Sequence, residues 1–143
     1  MCEYYSTSCF RNQVCELTKK AKEGYRSVLE DICNELKDKS IDEIRITLDR
    51  VKDEENFTIV KLRLQNGGLK LSKKDGFRLI YLVRKDKDIV ILLDVYPKRG
   101  PKQRLNVKNN DYNIYLKNYL DEAACLVKHD IGNKLTEIVE LAQ

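Results

Sequence analysis

Three apolar runs between positions 57 and 96 restrict the folds open to this chain more than any other feature. The first, FTIVKLRL over residues 57–64, places Ile59, Lys61 and Arg63 on one face of a strand and Val60, Leu62 and Leu64 on the other. The second, FRLIYLV over 77–83, embeds Arg78 among apolar residues. The third, IVILLDVY over 89–96, is apolar on both faces, which marks a central strand. An arginine amid Phe77, Leu79, Ile80 and Leu82 is costly unless it is exposed at the strand end or paired. Asp94 is a candidate partner for Arg78 or for Arg99. Asn66-Gly67-Gly68 and Asp75-Gly76 are turn signals at the two ends of a lysine-rich hairpin over 65–76.

The segments on either side read mostly as helix. Val14, Leu17 and Ala21 precede Gly24. Tyr25, Val28, Leu29, Ile32, Cys33 and Leu36 then recur at helical spacing. This predicts an antiparallel helical hairpin, or one long bent helix, over 11–38, with its apolar stripe against the sheet. A short edge strand is expected over 3–8. Residues 41–53 fit two periods: Ile41, Ile44, Leu48 and Val51 suit a helix, and Ile44, Ile46 and Leu48 suit a strand. Their β-branched content favours a strand over 43–48, with a charged turn over 52–56. Asn109, Asn110 and Asp111 supply an N-cap for a helix over 111–127, whose Tyr112, Tyr115 and Tyr119 are expected in the core. His129 and Asp130 break that helix, and a last amphipathic one is expected over 131–141. The fold class is therefore α+β, an N-terminal helical hairpin packed on a small antiparallel sheet, with a C-terminal helical extension. A length of 143 residues suits one domain. We divide it into 1–108 and an extension, 109–143, of the same domain.

Charge separates the strand region from the rest. Of the 27 Lys and Arg residues, 14 lie in 57–108, against 4 of the 23 acidic ones. The remainder holds 13 basic and 19 acidic residues, so the formal net charge of +4 hides a strongly polarised molecule. Such a local excess attracts polyanions, because neutralising phosphates releases condensed counterions. Lysines on an exposed sheet edge also keep it soluble, the plainer reading.

Five cysteines (Cys2, Cys9, Cys15, Cys33 and Cys125) form no CxxC pair, and an odd count without a secretory leader argues for reduced thiols. Cys15, Cys33 and Cys125 read as small buried hydrophobes on helices. His129 is the only histidine, so no metal site or other cofactor is expected. No apolar run approaches the roughly 20 residues of a membrane span, and the expected location is the cytoplasm.

Lys61-Leu62-Arg63, then Gly76-Phe77-Arg78-Leu79-Ile80-Tyr81, then an apolar strand closing on Tyr96-Pro97-Lys98-Arg99, resembles the RelE/HigB-like toxins of type II toxin–antitoxin systems, within the RelE/ParE superfamily. The resemblance covers roughly residues 10–105, and it implies a ribosome-dependent endoribonuclease that cuts mRNA in the decoding site and is neutralised by a cognate antitoxin. On it, Lys61, Arg78 and Arg99 fall at positions that contact or polarise the scissile phosphate. Ile59 stands where some members carry a second catalytic lysine, and residues 101–107 lack the tyrosine that others place there.

Cleavage by 2′-OH attack needs a base for the 2′ proton, an acid for the 5′ oxygen and positive charge on the pentavalent phosphate. One histidine outside the basic stretch excludes a two-histidine mechanism. Lys61 would serve as base if neighbouring cations lower its pKa, and Arg78 and Arg99 would clamp the phosphate. Arg63, Lys73, Lys74, Lys98, Lys102 and Arg104 would hold the RNA backbone. Two alternatives stand beside this reading: a ParE-like toxin that inhibits gyrase without cutting RNA, and a RelE-fold module that binds RNA or protein but has lost catalysis.

Overall fold

The computed structural model describes residues 3–21, 24–37, 39–45, 50–99, 104 and 109–129. The chain runs β1 (Glu3–Ser6), α1 (Ser8–Cys15), α2 (Val28–Leu36), α3 (Ile41–Arg45), β2 (Arg50–Asp53), β3 (Phe57–Leu64), β4 (Phe77–Arg84), β5 (Ile89–Pro97), α4 (Asn109–Glu122) and β6 (Val127–His129). It is an α+β fold on one six-stranded sheet of order β2-β3-β4-β5-β1-β6. The sheet is mixed rather than purely antiparallel, because β1 pairs with β5 in parallel and β6 then closes on β1 antiparallel.

The three expected strands lie where alternation placed them, and β5 is central, between β4 and β1. Helices α1 and α2 bring Phe10, Val14, Val28, Ile32 and Leu36 onto one face, in one core with Val60, Leu62, Leu64, Leu79, Leu92 and Val95. α1 continues into a π-helical turn over Glu16–Ala21, and Gly24, at φ +85°, takes a backbone conformation that side chains resist. The opposite face is not open either. Ile59, Ile80, Leu82, Ile91, Leu93 and Tyr96 pack there against Tyr112 and Tyr115 of α4, so those tyrosines are core as expected.

A bulge in β5 fixes how α4 is held. Ile80 pairs with Asp94 and Tyr81 with Leu92, which leaves Leu93 as an extra residue and turns Asp94 to the α4 side. The Asp94 carboxylate, 1% exposed, accepts from the Tyr115 hydroxyl at 2.5 Å, the Arg104 guanidinium at 2.8 Å and the Val95 N–H at 2.8 Å. Both partners proposed for Asp94 from the sequence, Arg78 and Arg99, are thus replaced by Arg104. At its other end α4 supplies Glu122, whose two carboxylate oxygens accept from the Ser8 N–H and hydroxyl at 2.8 and 3.0 Å, capping α1. Glu122→Gln should lower stability by about 0.5–1 kcal/mol. This would be read as a lower urea midpoint at unchanged slope, and an unmoved midpoint would show that the cap contributes nothing.

Three other expectations change. Residues 41–45 are helical, not the start of a strand, and residues 46–49 lie outside the described set. The reason is a capping box: the Ser40 hydroxyl accepts the Glu43 N–H at 3.2 Å while the Glu43 carboxylate accepts the Ser40 N–H at 3.3 Å. α4 stops at Glu122, five residues short of the expected end, because Val127–His129 is captured as a strand by β1. Of the three cysteines expected inside, Cys33 is buried, Cys15 half-buried and Cys125, in the turn after α4, exposed. The helix expected over 131–141 lies outside the described residues.

Candidate nucleic-acid interface

The cations come from neighbouring strands at one end of the sheet. Arg63 stands opposite Arg78 and Lys61 opposite Ile80 in the β3–β4 ladder, and Arg78 stands opposite Tyr96 in the β4–β5 ladder. Residues paired in register project to the same side. Lys61, Arg63, Arg78 and Tyr96 therefore share the α4-side face, with Arg63 exposed and Lys61 half-buried. Lys98 follows two positions past Tyr96, and its N–H donates to the Gly76 carbonyl at 3.0 Å, extending that ladder.

Arg78 is only 7% exposed and is turned onto the hairpin backbone. Nη1 donates to the Lys73 and Phe77 carbonyls at 2.8 and 3.2 Å, and Nη2 to the Lys74 carbonyl at 2.8 Å. These dipoles take the place of water around the guanidinium and pin the hairpin to the strand. Its charge still reaches the face, although the fork expected on a phosphate is engaged with carbonyls. Arg99 is the reverse case. Its side chain is 63% exposed, its carbonyl accepts from the Tyr25 hydroxyl at 3.0 Å, and its guanidinium meets Asp75 at 2.8 Å.

The electrostatics gather on Lys98. Burial first, then the positive charges of Arg78, Lys61, Arg99 and Arg63, pull its ammonium below the ordinary lysine value. Four cations thus lie within electrostatic reach of one amine, including all three residues expected at the scissile phosphate. Among the described residues, no carboxylate pairs with Lys61, Arg63 or Lys98. Lys98 was expected only as a backbone contact. The signal was available, since Lys98 and Arg99 follow the same strand end that Arg78 flanks.

The other expected RNA contacts scatter. Arg104 is drawn to buried Asp94 and lies over the Tyr96 ring at 5.3 Å, so it locks α4 and its guanidinium is already occupied. Lys73 leans to the opposite side of the molecule, onto Glu35 of α2 at 3.0 Å, which also receives Lys39. Lys74 is exposed and acts on Asp75. Lys102 lies outside the described residues. Tyr81 and Tyr96 serve the scaffold: the Tyr81 hydroxyl donates to the Ile44 carbonyl at 2.8 Å, and burial pushes the Tyr96 phenol up to about 12.

Two clefts lie away from these cations. They are of about 390 and 320 Å³ and flank Arg84 and Tyr119 at the opposite end of the strands. Among the described residues there is no group of three His, Cys, Asp or Glu that could hold a metal ion, and no helix is long and apolar enough to cross a membrane. Comparison with protein-family models, curated proteins and solved structures returns no match for this chain.

Proposed function

We propose that this chain is a ribosome-dependent mRNA endoribonuclease that inhibits translation in the cytoplasm and is silenced by a cognate antitoxin, as its resemblance to the RelE-like toxins implies. The observation that carries the reading is the convergence of Lys61, Arg63, Arg78 and Arg99 around the Lys98 amine. The finer fold belongs to the same proposal: α1 and α2 form a hairpin across one sheet face, with residues 109–143 as an extension. Its support is the core that both helices share with β3.

In this reading a messenger phosphate lies on the α4-side face. The neutral amine of Lys98 takes the proton from the 2′-OH, and the oxygen attacks the adjacent phosphorus. The Lys61 ammonium returns a proton to the departing 5′ oxygen, leaving a 2′,3′-cyclic phosphate and a 5′-OH. Arg63 and Arg99 hold the non-bridging oxygens, while Arg78 adds charge from beneath the hairpin. We place the base at Lys98 because burial and four cations favour its uncharged form.

A second reading, a module that binds RNA without cutting it, draws on the engagement of Arg78 with carbonyls and of Arg99 with Asp75. Toeprinting in a translating extract separates the readings. Wild-type protein should give discrete cleavage stops on ribosome-bound messages, and the combination Lys61→Met, Arg63→Ala and Arg99→Ala should weaken them at least about 100-fold. Binding without stops would select the second reading. Inhibited DNA supercoiling with intact messages would select the ParE-like alternative.

A further inference from the structure

The following inference deepens the reading above and rests on it. We propose that Asp75 is a built-in occupant of the Arg99 anion seat, displaced when an oligoanion docks, so that the face admits phosphate chains and resists single small anions.

The geometry is specific. Arg99 donates to one oxygen of Asp75, Oδ1, twice: through Nε at 3.1 Å and through Nη2 at 2.8 Å. A guanidinium fork meeting an oxyanion is the arrangement that a phosphate oxygen would adopt. The carboxylate is placed there by backbone, not by chance contact. The Asp75 N–H donates to the Ser72 carbonyl at 3.0 Å, and the carbonyl of the next residue, Gly76, accepts from Lys98, the residue before Arg99. The turn that carries the anion and the strand end that carries the cation are thus tied side by side. Arg99 first, with Lys74 and Arg78 adding to it, holds the Asp75 carboxyl below the usual range, so it is ionised at neutral pH.

An exposed pair of this kind is weak. A lone anion gains little by evicting Asp75, because it exchanges one oxyanion for another. An RNA backbone gains more, because its neighbouring phosphates reach Arg63, Lys61 and Lys98 at the same time. The resident carboxylate therefore sets a threshold for docking.

Simple removal of a negative charge would also raise affinity for a polyanion, so the test is a double-mutant cycle. The probe is a fluorescein-labelled 2′-O-methyl RNA oligonucleotide, which cannot undergo 2′-OH attack, followed by anisotropy at one fixed ionic strength. Asp75→Asn should tighten binding about 2- to 5-fold in the wild-type background and leave it unchanged when Arg99→Ala is already present. Inorganic phosphate should compete more effectively against Asp75→Asn than against wild type. A gain that persists in the Arg99→Ala background, or an equal gain from Glu35→Gln, whose carboxylate faces Lys73, would overturn the inference and leave RNA binding standing. Absence of probe binding by every variant, with melting curves matching wild type, would remove the RNA reading itself and this inference with it.

Discussion

Gly76→Ala is expected to leave a protein that melts about 10–20 °C lower, or that does not accumulate folded. A Cβ built on Gly76 would stand 2.0 Å from the Leu64 carbonyl oxygen and 2.8 Å from the Asn66 nitrogen and the Gln65 carbonyl carbon. All three are backbone atoms, so no side chain can swing aside. Relief requires parting the end of β3 from the start of β4, next to the Leu64–Phe77 pair. Overpacking against a fixed backbone belongs to the costly tail of substitutions, about 3–5 kcal/mol here, from a total of roughly 5–15. At roughly 4 °C per kcal/mol for a chain of this size, the drop follows. Gly67→Ala is the control, since its Cβ would meet the far end of the Asp31 side chain at 2.9 Å, which can turn away. Melting by circular dichroism decides it. Equal midpoints for Gly76→Ala and wild type would mean that the β3–β4 junction is not built this way.

Lys98→Met is expected to reduce RNA cleavage by about 10² to 10⁴-fold, the usual range for loss of a general base. Lys98→Arg should be nearly as poor, because a guanidinium keeps its charge but cannot accept a proton. The sign of the pH dependence follows from the base role. The active form is the neutral amine, so the wild-type rate should rise with pH and level off once Lys98 has lost its proton. Burial and the surrounding cations lower that pKa, so the rise should fall below the pH range of an ordinary lysine. Binding of the uncleavable oligonucleotide should change far less than the rate, which separates proton transfer from simple attraction. Full activity in Lys98→Arg would return the base role to Lys61.

The central strands were legible because each run states its own period: Val60, Leu62 and Leu64 alternate with Ile59, Lys61 and Arg63 whatever surrounds them. Short elements were legible only where a local signal was weighed. Ser40 and Glu43 spell a capping box, a local signal that the alternation of Ile44 and Ile46 masks. β6 has no such signal. Ala123 and Ala124 favour a longer helix, and what ends α4 is the demand of β1 for a partner, which lies far away in sequence. The candidate site was half legible. Strand parity brings Lys61, Arg63 and Arg78 together, and chain continuity adds Lys98 and Arg99. The fate of each charge depended on contacts across the fold: Arg104 went to Asp94 because a bulge turned that carboxylate to the α4 side, and Lys73 went to Glu35 because the hairpin leans toward α2.

The place of β1 inside the sheet governs how the molecule is made. Its residues are made before both partners, so one flank waits for β5 and the other for β6; Ser6 and His129, joined at 2.6 Å, are 123 positions apart. The slowest step of maturation should therefore be seating β1 between β5 and β6, since both pairings join residues far apart in sequence. Chains released before position 127 would carry a bare strand edge, and their fate is self-association rather than activity.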